Sequence, residues 1–348
     1  MADPLRHHAP RAMEPVISIT SSAVAEQPAP AEVDRTRPVV VTGAAGLVGT
    51  ELCGQLVAAG WKLRAIVRDA EKAAQRLGHM KIEIRVGDIR DAEAMRTALA
   101  DAGALVHLAA IAIEKSGQSY ADVNTDGTAI LLDAAKRGGV ERVVYMSQNG
   151  ADSKSPYEFL RSKGQAQDMV TASGLKWTVF RPSVIFGADD EFVNVLGRMV
   201  RLSPLVFPLP GGGVARFQPI AVGDVASAVR QSLADSSTVG RILSIGGSTP
   251  LTLRQMTERI LVAMNTSRKL VSVPVTAIRP LVAAAERLLP NPPVTTSLLD
   301  LLAIENVVPD NAISAVFGIT PVPFAPEELL YLRGLTAGSA LRSLMGKK

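Results

Sequence analysis

The sequence predicts an α/β fold, a doubly wound parallel sheet followed by a smaller and irregular C-terminal lobe. From Pro38 onward, short β-branched runs alternate with longer stretches of helical period, which is the pattern of repeated βαβ units. The strand candidates are nearly all apolar, as strands covered on both faces should be. After Pro182 the alternation weakens, and proline and glycine become frequent. We therefore expect one domain over residues 38–182 and a C-terminal lobe over residues 183–348.

The individual elements follow from these runs. Strands are predicted at Val39 to Thr42, Leu63 to Val67, Ile82 to Val86, Ala104 to Leu108, Arg142 to Ser147 and Trp177 to Arg181. Helices are predicted at Gly46 to Ala59, Ala70 to Leu77, Ala92 to Leu99, Tyr120 to Arg137 and Ser162 to Ser173. The lobe is expected to contain helices at Asp224 to Leu233 and Leu253 to Met264, and a strand, Arg241 to Ile245, that returns to the sheet.

Composition argues against several classes of protein. The formal net charge of the 348 residues is +4, but the basic residues are scattered among acidic ones, which does not suit a nucleic-acid surface. The single cysteine, Cys53, has leucine neighbours, so it is expected on a packed helix face and in no disulfide within the chain. The four histidines form no cluster at ligand spacing, and no metal site is predicted.

Three further segments carry expectations about surroundings. Residues 1–37 are rich in alanine, proline and serine, contain acidic residues and lack a signal-peptide core, which predicts a disordered extension on a cytoplasmic protein. The apolar spacing of Phe192, Val195, Leu196, Met199 and Val200 favours a core helix over a lipid or quinone site. The stretch from Leu270 to Leu289 is apolar with a few positive charges, which suits peripheral contact with a membrane or a large partner.

A phosphate-binding loop is predicted where the first strand meets the first helix. Gly43 allows a tight turn, Gly46 lets the backbone approach a pyrophosphate, and Gly49 allows the helix to pack closely on the strand. The helix N-terminus then offers unpaired amides and a partial positive charge. Because a second strand follows, this context favours a Rossmann-type dinucleotide site over a plain turn. The loop residues expected to contact the dinucleotide are Gly43, Ala45, Gly46, Leu47 and Val48.

The end of the second strand bears on which dinucleotide binds. An acidic residue there would bind the ribose hydroxyls of NAD, and a basic residue would favour the 2′-phosphate of NADP. The strand runs into Arg68, and Asp69 follows where it can cap the next helix. We therefore favour NADP(H) over NAD(H), with a solvated strand-end charge as the alternative role of Arg68.

Several motifs in order resemble the extended and atypical short-chain dehydrogenase/reductases. They are the turn Gly87-Asp88-Ile89, the strand end Val106-His107-Leu108-Ala109-Ala110, and Asn124 with Gly127 and Thr128. The resemblance implies cofactor contacts from Asp88, Ile89, Leu108, Ala109 and Ala110. The runs from Arg181 through Pro182 to Gly187, 217–220, 224–226, 293–295, 305–308 and 317–321 look like the branch that contains the nucleotide-binding accessory subunit of respiratory complex I and its bacterial relatives. Pro182 is a further expected cofactor contact.

Enzymes of this family carry a tyrosine and, four residues later on one helix, a lysine that binds the nicotinamide ribose and lowers the pKa of the tyrosine. Lys163 is placed to be that lysine, but Phe159 stands where the tyrosine is expected. Tyr157 would lie on another face of an ideal helix, although an irregular helix start near Pro156 could bring its hydroxyl in. Ser147 resembles the third catalytic position, with a strand-end hydroxyl as its alternative role.

Two hypotheses on function stay open at this point. In the first, which the resemblance implies, the chain holds NADP(H) with weak or no turnover and has a structural or redox-sensing role linked to respiratory or quinone machinery. Its partner would be a membrane-associated complex or the surface of the inner membrane. In the second, the chain is an active NAD(P)-dependent reductase, epimerase or dehydratase on a small molecule, and Tyr157 or a substrate group supplies the proton.

Overall fold

A computed structural model describes residues 33–114, 117–289, 292 and 294–345. The strands are β1 (Val39–Thr42), β2 (Leu63–Val67), β3 (Glu83–Val86), β4 (Ala104–His107), β5 (Arg142–Met146), β6 (Lys176–Pro182), β7 (Ile185–Phe186), β8 (Val206–Pro210), β9 (Arg216–Phe217), β10 (Ile220–Ala221), β11 (Arg241–Ile245), β12 (Leu251–Thr252) and β13 (Lys269–Val273). The α-helices are α1 (Leu47–Ala58), α2 (Ala70–Leu77), α3 (Ala92–Leu99), α4 (Gly127–Arg137), α5 (Glu158–Thr171), α6 (Val193–Leu202), α7 (Val222–Ala234), α8 (Leu253–Ala263), α9 (Val275–Leu288), α10 (Thr296–Leu301), α11 (Ala312–Ala315) and α12 (Ala337–Leu344). A π-helix (Ala121–Asp126) precedes α4, and 3-10 turns span Gly211–Gly213, Ser236–Thr238 and Pro326–Gly334.

Seven of the strands form one sheet in the order β11-β6-β5-β4-β1-β2-β3. Every neighbouring pair in this sheet is parallel. The chain runs outward from β1 to β3 and then crosses back to β4 on the other side of β1. This is the doubly wound, Rossmann-type arrangement that the sequence predicts, and the fold class is confirmed. The carboxyl ends of β1 and β4 therefore lie side by side at the point where such sheets bind ligands.

The edge strand β3 departs from the expectation of apolar strands covered on both faces. All of its residues are exposed or half-buried, because a strand at the edge of the sheet has only one neighbour. Glu83 forms an ion pair of 2.7 Å with the buried Arg64 of β2, and Arg64 also pairs with Asp101 over 2.9 Å. Charged contacts thus cover part of this edge.

Two of the predicted helix boundaries are wrong. Helix α5 begins at Glu158, not at Ser162, because Tyr157 already occupies the extended N-cap position. The predicted helix from Tyr120 to Arg137 is not one α-helix, since its first part is the π-helix. There the buried Asn124 accepts a hydrogen bond from the Ile111 amide over 2.9 Å and donates to the Ile111 carbonyl over 3.1 Å. The π-helix therefore fixes the backbone of Ile111, in the segment that follows β4.

Residues 183–348 contain short strand pairs that the sequence did not predict: β7 with β10, β8 with β13, and β9 with β12. A two-residue strand carries no readable periodicity. Within α6, Leu196 and Val200 are buried core residues as expected. The other residues of the same stripe, Phe192, Val195 and Met199, are half-buried and line a cavity.

The predicted disordered extension, residues 1–37, falls largely on residues 1–32, which lie outside the described residues, whereas Arg37 hydrogen-bonds to the carbonyls of Asp101 and Gly139. The apolar stretch from Leu270 to Leu289 is divided at Pro274 into β13 and α9. Over the part of the chain that the structure describes, no helix has both the length and the apolar character needed to cross a membrane.

Candidate functional site

The predicted phosphate loop joins β1 to α1 through two close backbone approaches. Gly43 has a φ of +70°, and a Cβ built on it would lie 2.8 Å from the backbone nitrogen of Ala109. A Cβ built on Gly49 would lie 2.2 Å from the carbonyl oxygen of Gly43. Both positions therefore require glycine. The loop is held between the end of β4 and the first turn of α1.

The N-terminus of α1 is open toward a ligand. Gly46 occupies the N-cap without a side-chain hydrogen bond, and its amide donates to the Gly43 carbonyl over 2.9 Å. Among the described residues, the amides of Leu47 and Val48 find no hydrogen-bond acceptor. Free amides at a helix N-terminus, with no side chain above Gly46, fit the diphosphate of a dinucleotide. The predicted contacts from Gly43 to Val48 form one continuous loop that includes Ala45.

A glycine missed by the sequence reasoning completes the wall of this loop. A Cβ built on Gly187, after β7, would lie 2.8 Å from Cγ1 of Val222 and 3.5 Å from Cδ1 of Leu47. The start of α7 and the start of α1 therefore meet over Gly187. Gln55 of α1 reinforces this contact by donating to the Gly223 carbonyl over 3.2 Å. The run that ends at Gly187 was noted in the sequence, but only the fold brings it to the loop.

The adenosine side of the predicted site contains fixed charges. Arg68 is exposed at the end of β2, and Asp69 caps α2 by accepting from the Lys72 amide over 2.9 Å, so the predicted capping role is confirmed. Asp88 binds Arg90 through both carboxylate oxygens, at 3.0 Å and 2.9 Å. These hydrogen bonds, together with the nearby charge of Arg68, hold the pKa of Asp88 below its usual value.

The segments after β3 and β4 face each other across this region. Ile89 is buried, and a Cβ built on Gly127 would lie 2.8 Å from its Cδ1 atom, so Gly127 gives Ile89 its space. Leu108 and Ala109 are half-buried and Ala110 is exposed. The predicted adenine-side and strand-end residues therefore lie around one side of the sheet switch point.

Beneath the loop, His107 is a neutral structural residue. Its Nδ1 lies 2.8 Å from the Thr42 hydroxyl, and its Nε2 lies 3.0 Å from the Thr128 hydroxyl. Burial, assisted by the charge of Lys163, lowers the pKa of His107 to about 3. The histidine thus ties β1 to α4. The described residues contain no group of three or more His, Cys, Asp or Glu that could hold a metal ion.

Lys163 is the buried charge of the site. Its side chain comes from α5 and is 4% exposed, and its Nζ donates to the Met146 carbonyl over 2.7 Å. The same Nζ lies 4.6 Å from the centre of the Tyr145 ring, a favourable cation–π distance. Burial lowers the pKa of Lys163 to about 7. Tyr145 was not predicted as part of the site, although it pairs in register with His107.

The three residues at the expected catalytic positions are not arranged alike. Phe159 lies on α5 with Lys163, and its ring centre is 5.7 Å from that of Tyr120. Tyr157 stands outside the helix as its extended N-cap, with φ of −88° and ψ of 118°. Ser147 is buried at the end of β5, and its Oγ has no hydrogen-bond partner among the described residues.

A polar tie between the lobe and the sheet was also missed. Asn149, just after β5, donates to the side-chain oxygen of Asn306 over 2.9 Å and to the Val307 carbonyl over 3.0 Å. Ser183, which follows Pro182 of β6, donates to the Asn306 carbonyl over 2.7 Å. The C-terminal run around residue 306 thus closes the side of the sheet next to Ser147 and Pro182.

Comparison with known proteins agrees with this geometry. The sequence pattern of a family described as NAD(P)H-binding matches residues 43–198, which include the phosphate loop, Asp88, Ser147 and Lys163. The glycine cradle and the open α1 terminus fit the ligand that this description states. NAD(P)(H) binding is thus supported by both the matched sequence and the structure.

Three curated relatives are similar to large parts of the chain. Subunit 9 of the NADH dehydrogenase [ubiquinone] 1 alpha subcomplex of Arabidopsis thaliana is 27% identical over 78% of this chain and 71% of its own length. Sterol demethylase protein B of Methylococcus capsulatus is 34% identical over 46% of this chain and 55% of its own length. The 3 beta-hydroxysteroid dehydrogenase/Delta 5-->4-isomerase of Mycobacterium tuberculosis is 28% identical over 79% of this chain and 82% of its own length.

A solved structure shares the fold. The UDP-glucose 4-epimerase of Thermus thermophilus, crystallised with NAD, superposes with a TM-score of 0.66 at 20% identity and covers 86% of this chain and all of its own. At that identity, the likeness speaks for the fold alone. The NAD(P)H-binding pattern and the relatives together indicate an NAD(P)-binding chain that resembles the atypical short-chain dehydrogenase/reductases, with a complex I subunit among its relatives.

Proposed function

We propose that this protein binds NADP(H) as a structural or redox-sensing ligand, with weak or no turnover. Phe159 is the observation that carries the proposal. It stands four residues before Lys163, where enzymes of the family carry tyrosine, and it has no proton to exchange. Its ring packs against Tyr120, so the position serves packing. Lys163 keeps its place beside the strand ends and is free of any need to activate a tyrosine.

The remaining cofactor contacts follow from the cradle. Gly43, Ala45, Gly46, Leu47 and Val48 would hold the diphosphate through backbone amides, and Lys163 would donate to the nicotinamide ribose. Asp88, Ile89, Leu108, Ala109, Ala110 and Pro182 would border the adenosine and nicotinamide halves. When bound, the nicotinamide would supply a hydride to an acceptor. The chain's own residues offer orientation at this site, but Phe159 offers no acid/base.

The preference for NADP(H) rests on the end of β2. Arg68 is exposed there, and the carboxylate of Asp69 is engaged in capping α2, which supports a role for Arg68 as the partner of a 2′-phosphate. A charge-assisted hydrogen bond contributes about 1.5–3 kcal/mol, or roughly 10- to 100-fold in affinity. By calorimetry, Arg68→Gln should weaken NADPH binding by that factor and leave NADH binding unchanged. The control Arg137→Gln should leave the binding of both nucleotides unchanged. Equal loss for NADPH and NADH would contradict the preference.

The decisive test of weak turnover is a gain-of-function substitution. We expect the purified wild type to release NADPH on nucleotide extraction and to reduce 9,10-phenanthrenequinone slowly or not at all. Phe159→Tyr should raise that rate about 100-fold, the usual contribution of a placed acid/base, whereas Phe159→Leu should not. A wild-type rate in the ordinary enzymatic range, about 1–1,000 per second, would overturn the proposal, and loss of that rate in Tyr157→Phe would identify Tyr157 as the acid/base.

The proposal includes a peripheral role at a membrane-associated respiratory or quinone-linked complex. The similarity to an NADH dehydrogenase subunit supports it, and so does α9, where Leu281 is 73% and Leu288 is 80% exposed near the basic Arg287. Sedimentation with vesicles of phosphatidylcholine and phosphatidylglycerol should retain the wild type and retain Arg287→Glu less. If Arg137→Glu, a change far from α9 in the sequence, reduces retention equally, the role of α9 is disproved.

An active enzyme is the second candidate. Ser147 Oγ is buried without a partner among the described residues, so it can donate to a substrate oxygen, and two relatives are named for sterol or steroid reactions. This candidate predicts NAD(P)-dependent oxidation of a 3β-hydroxysteroid that is lost in Ser147→Ala. No oxidation by the wild type would exclude that substrate.

A further inference from the structure

The C-terminal lobe contains an apolar cavity separate from the dinucleotide cleft. It has a volume of about 190 Å³ and lies between α6, β8, α9 and α10. Representative lining residues are Val195, Met199, Ile278, Ala285 and Leu298. Of the described residues that line it, only Glu191 is charged, and its side chain is exposed. None of the predicted cofactor contacts lines this cavity.

Helix α9 covers the cavity without belonging to the core. None of its described residues is buried, although Ile278, Val282 and Ala285 face the cavity. Polar contacts hold the helix to α10: Arg279 bonds to Asp300 over 2.7 Å, and Glu286 accepts from the amide and hydroxyl of Thr296 at 3.0 Å each. Helix α9 is therefore attached by polar contacts at the edge of the cavity. These contacts can break, and the helix can move, without disrupting a packed core.

Apolar side chains around a space of this size have no packing contacts on the side that faces it. A ligand that fills the space restores those contacts. An apolar cavity of about 150 Å³ admits a benzene molecule, so this one can hold a single ring or a short chain segment and is too small for a four-ring sterol nucleus. With no buried polar partner in the lining, the inserted part of the ligand must carry no hydrogen-bonding group.

We propose that the cavity under α9 binds the hydrocarbon end of an amphiphile, whose polar head stays outside the helix. This inference goes beyond the dinucleotide function and does not depend on it. The site adjoins the cleft through α10, since Ser297 lies near the Tyr120 side chain, whose ring contacts Phe159.

The test follows one methyl group inside the cavity. In protein labelled with ¹³C at the methionine methyls, the NMR signal of Met199 is assigned by its loss in Met199→Leu. Titration with octan-1-ol should shift this signal until the shift saturates. The signal of Met95, which is buried in the other domain, should not move. Tighter binding of 3,7-dimethyloctan-1-ol than of octan-1-ol would assign a prenyl-type chain, and the reverse order would assign an acyl-type chain.

Two alanines of α9 provide the matched variants. Ala285 is half-buried and lines the cavity, whereas its neighbour Ala284 is exposed. Ala285→Phe should weaken alcohol binding at least tenfold, and Ala284→Phe should leave it unchanged. Unchanged NADPH binding in both variants would show that they are folded and would separate this result from the dinucleotide proposal. No saturable Met199 shift, or equal alcohol affinity in the two variants, would overturn the proposal.

Discussion

The dinucleotide cleft and the cavity under α9 are built in opposite ways. In the cleft, backbone meets backbone at Gly43 and Gly49, and buried polar groups such as Lys163 and His107 have fixed partners. Over the cavity, α9 buries none of its described residues and is attached by surface polar contacts. The difference teaches that the chain fixes the geometry of its dinucleotide site in advance and leaves the cover of the apolar site adjustable.

The largest effect is expected from Gly43→Ala. The new Cβ would meet the Ala109 nitrogen at 2.8 Å with φ at +70°, so both overlap and backbone strain apply. Together they should lower the free energy of unfolding by about 4 kcal/mol and abolish measurable NADPH binding. Urea unfolding and titration calorimetry check the two effects.

Gly60→Ala is the matched control for this change. Gly60 has a similar φ of +78°, but no atom lies within 4 Å of the position of its Cβ. Only the left-handed strain remains, about 1 kcal/mol. Equal losses in the two variants would mean that the close approach at Gly43 contributes nothing, and the rigid half of the comparison would fail.

Much of the cleft was predictable because its physics is local. The strand, glycine spacing and helix start occupy residues 39–49, and a glycine required by a turn can be recognised from the sequence alone. The order of apolar strands likewise fixed the sheet, within the limits of parallel βαβ topology. Asp69 was recognised as a helix cap because capping also acts over a few residues.

The rest could not be predicted, because it depends on contacts between distant segments. Tyr145 approaches Lys163 only because β5 and α5 pack together, and Asn149 bonds to Asn306, which lies 157 residues later in the sequence. The apolar residues from Phe192 to Val200, which include Met199, were assigned to the core, because apolar periodicity is the same for a core helix and for the wall of a cavity. Which of the two forms depends on how closely α9 sits, and periodicity does not encode that distance.

An intermediate effect is expected from Lys163→Met. Burial lowers the folded-state pKa of Lys163 from 10.5 to about 7. As pH falls from 10.5 toward 7, the unfolded chain takes up the proton before the folded chain does. This lysine therefore lowers the stability of the wild type increasingly below pH 10.5 and has no such effect above it. Below pH 7 both states are protonated and the cost is constant. Removing the charge, less the lost bond to Met146, should stabilise the protein by about 2 kcal/mol at pH 7.

Urea unfolding of wild type and Lys163→Met between pH 7 and pH 10 measures this linkage. The stability gain of the variant should grow as the pH falls. The affinity of the variant for NADPH should be lower than that of the wild type. Lys136→Met, on the exposed side of α4, should give no pH-dependent difference. Parallel curves for wild type and Lys163→Met would show that the lysine is not held in the buried, deprotonation-prone state.

The smallest effect concerns the clip of α9. Asp300→Asn weakens the contact with Arg279, and an exposed ion pair contributes about 0.2–1 kcal/mol. Global stability should therefore hardly change. Hydrogen exchange of the α9 amides should rise about two- to threefold, since this contact is one of those that local opening must break, while the α1 amides keep their protection. Asp133→Asn removes a similar exposed pair, with Arg137 over 2.8 Å, within one helix, and should leave α9 unaffected. If exchange in α9 is the same in both variants, its attachment lies in apolar packing, and the two sites are built more alike than their polar contacts indicate.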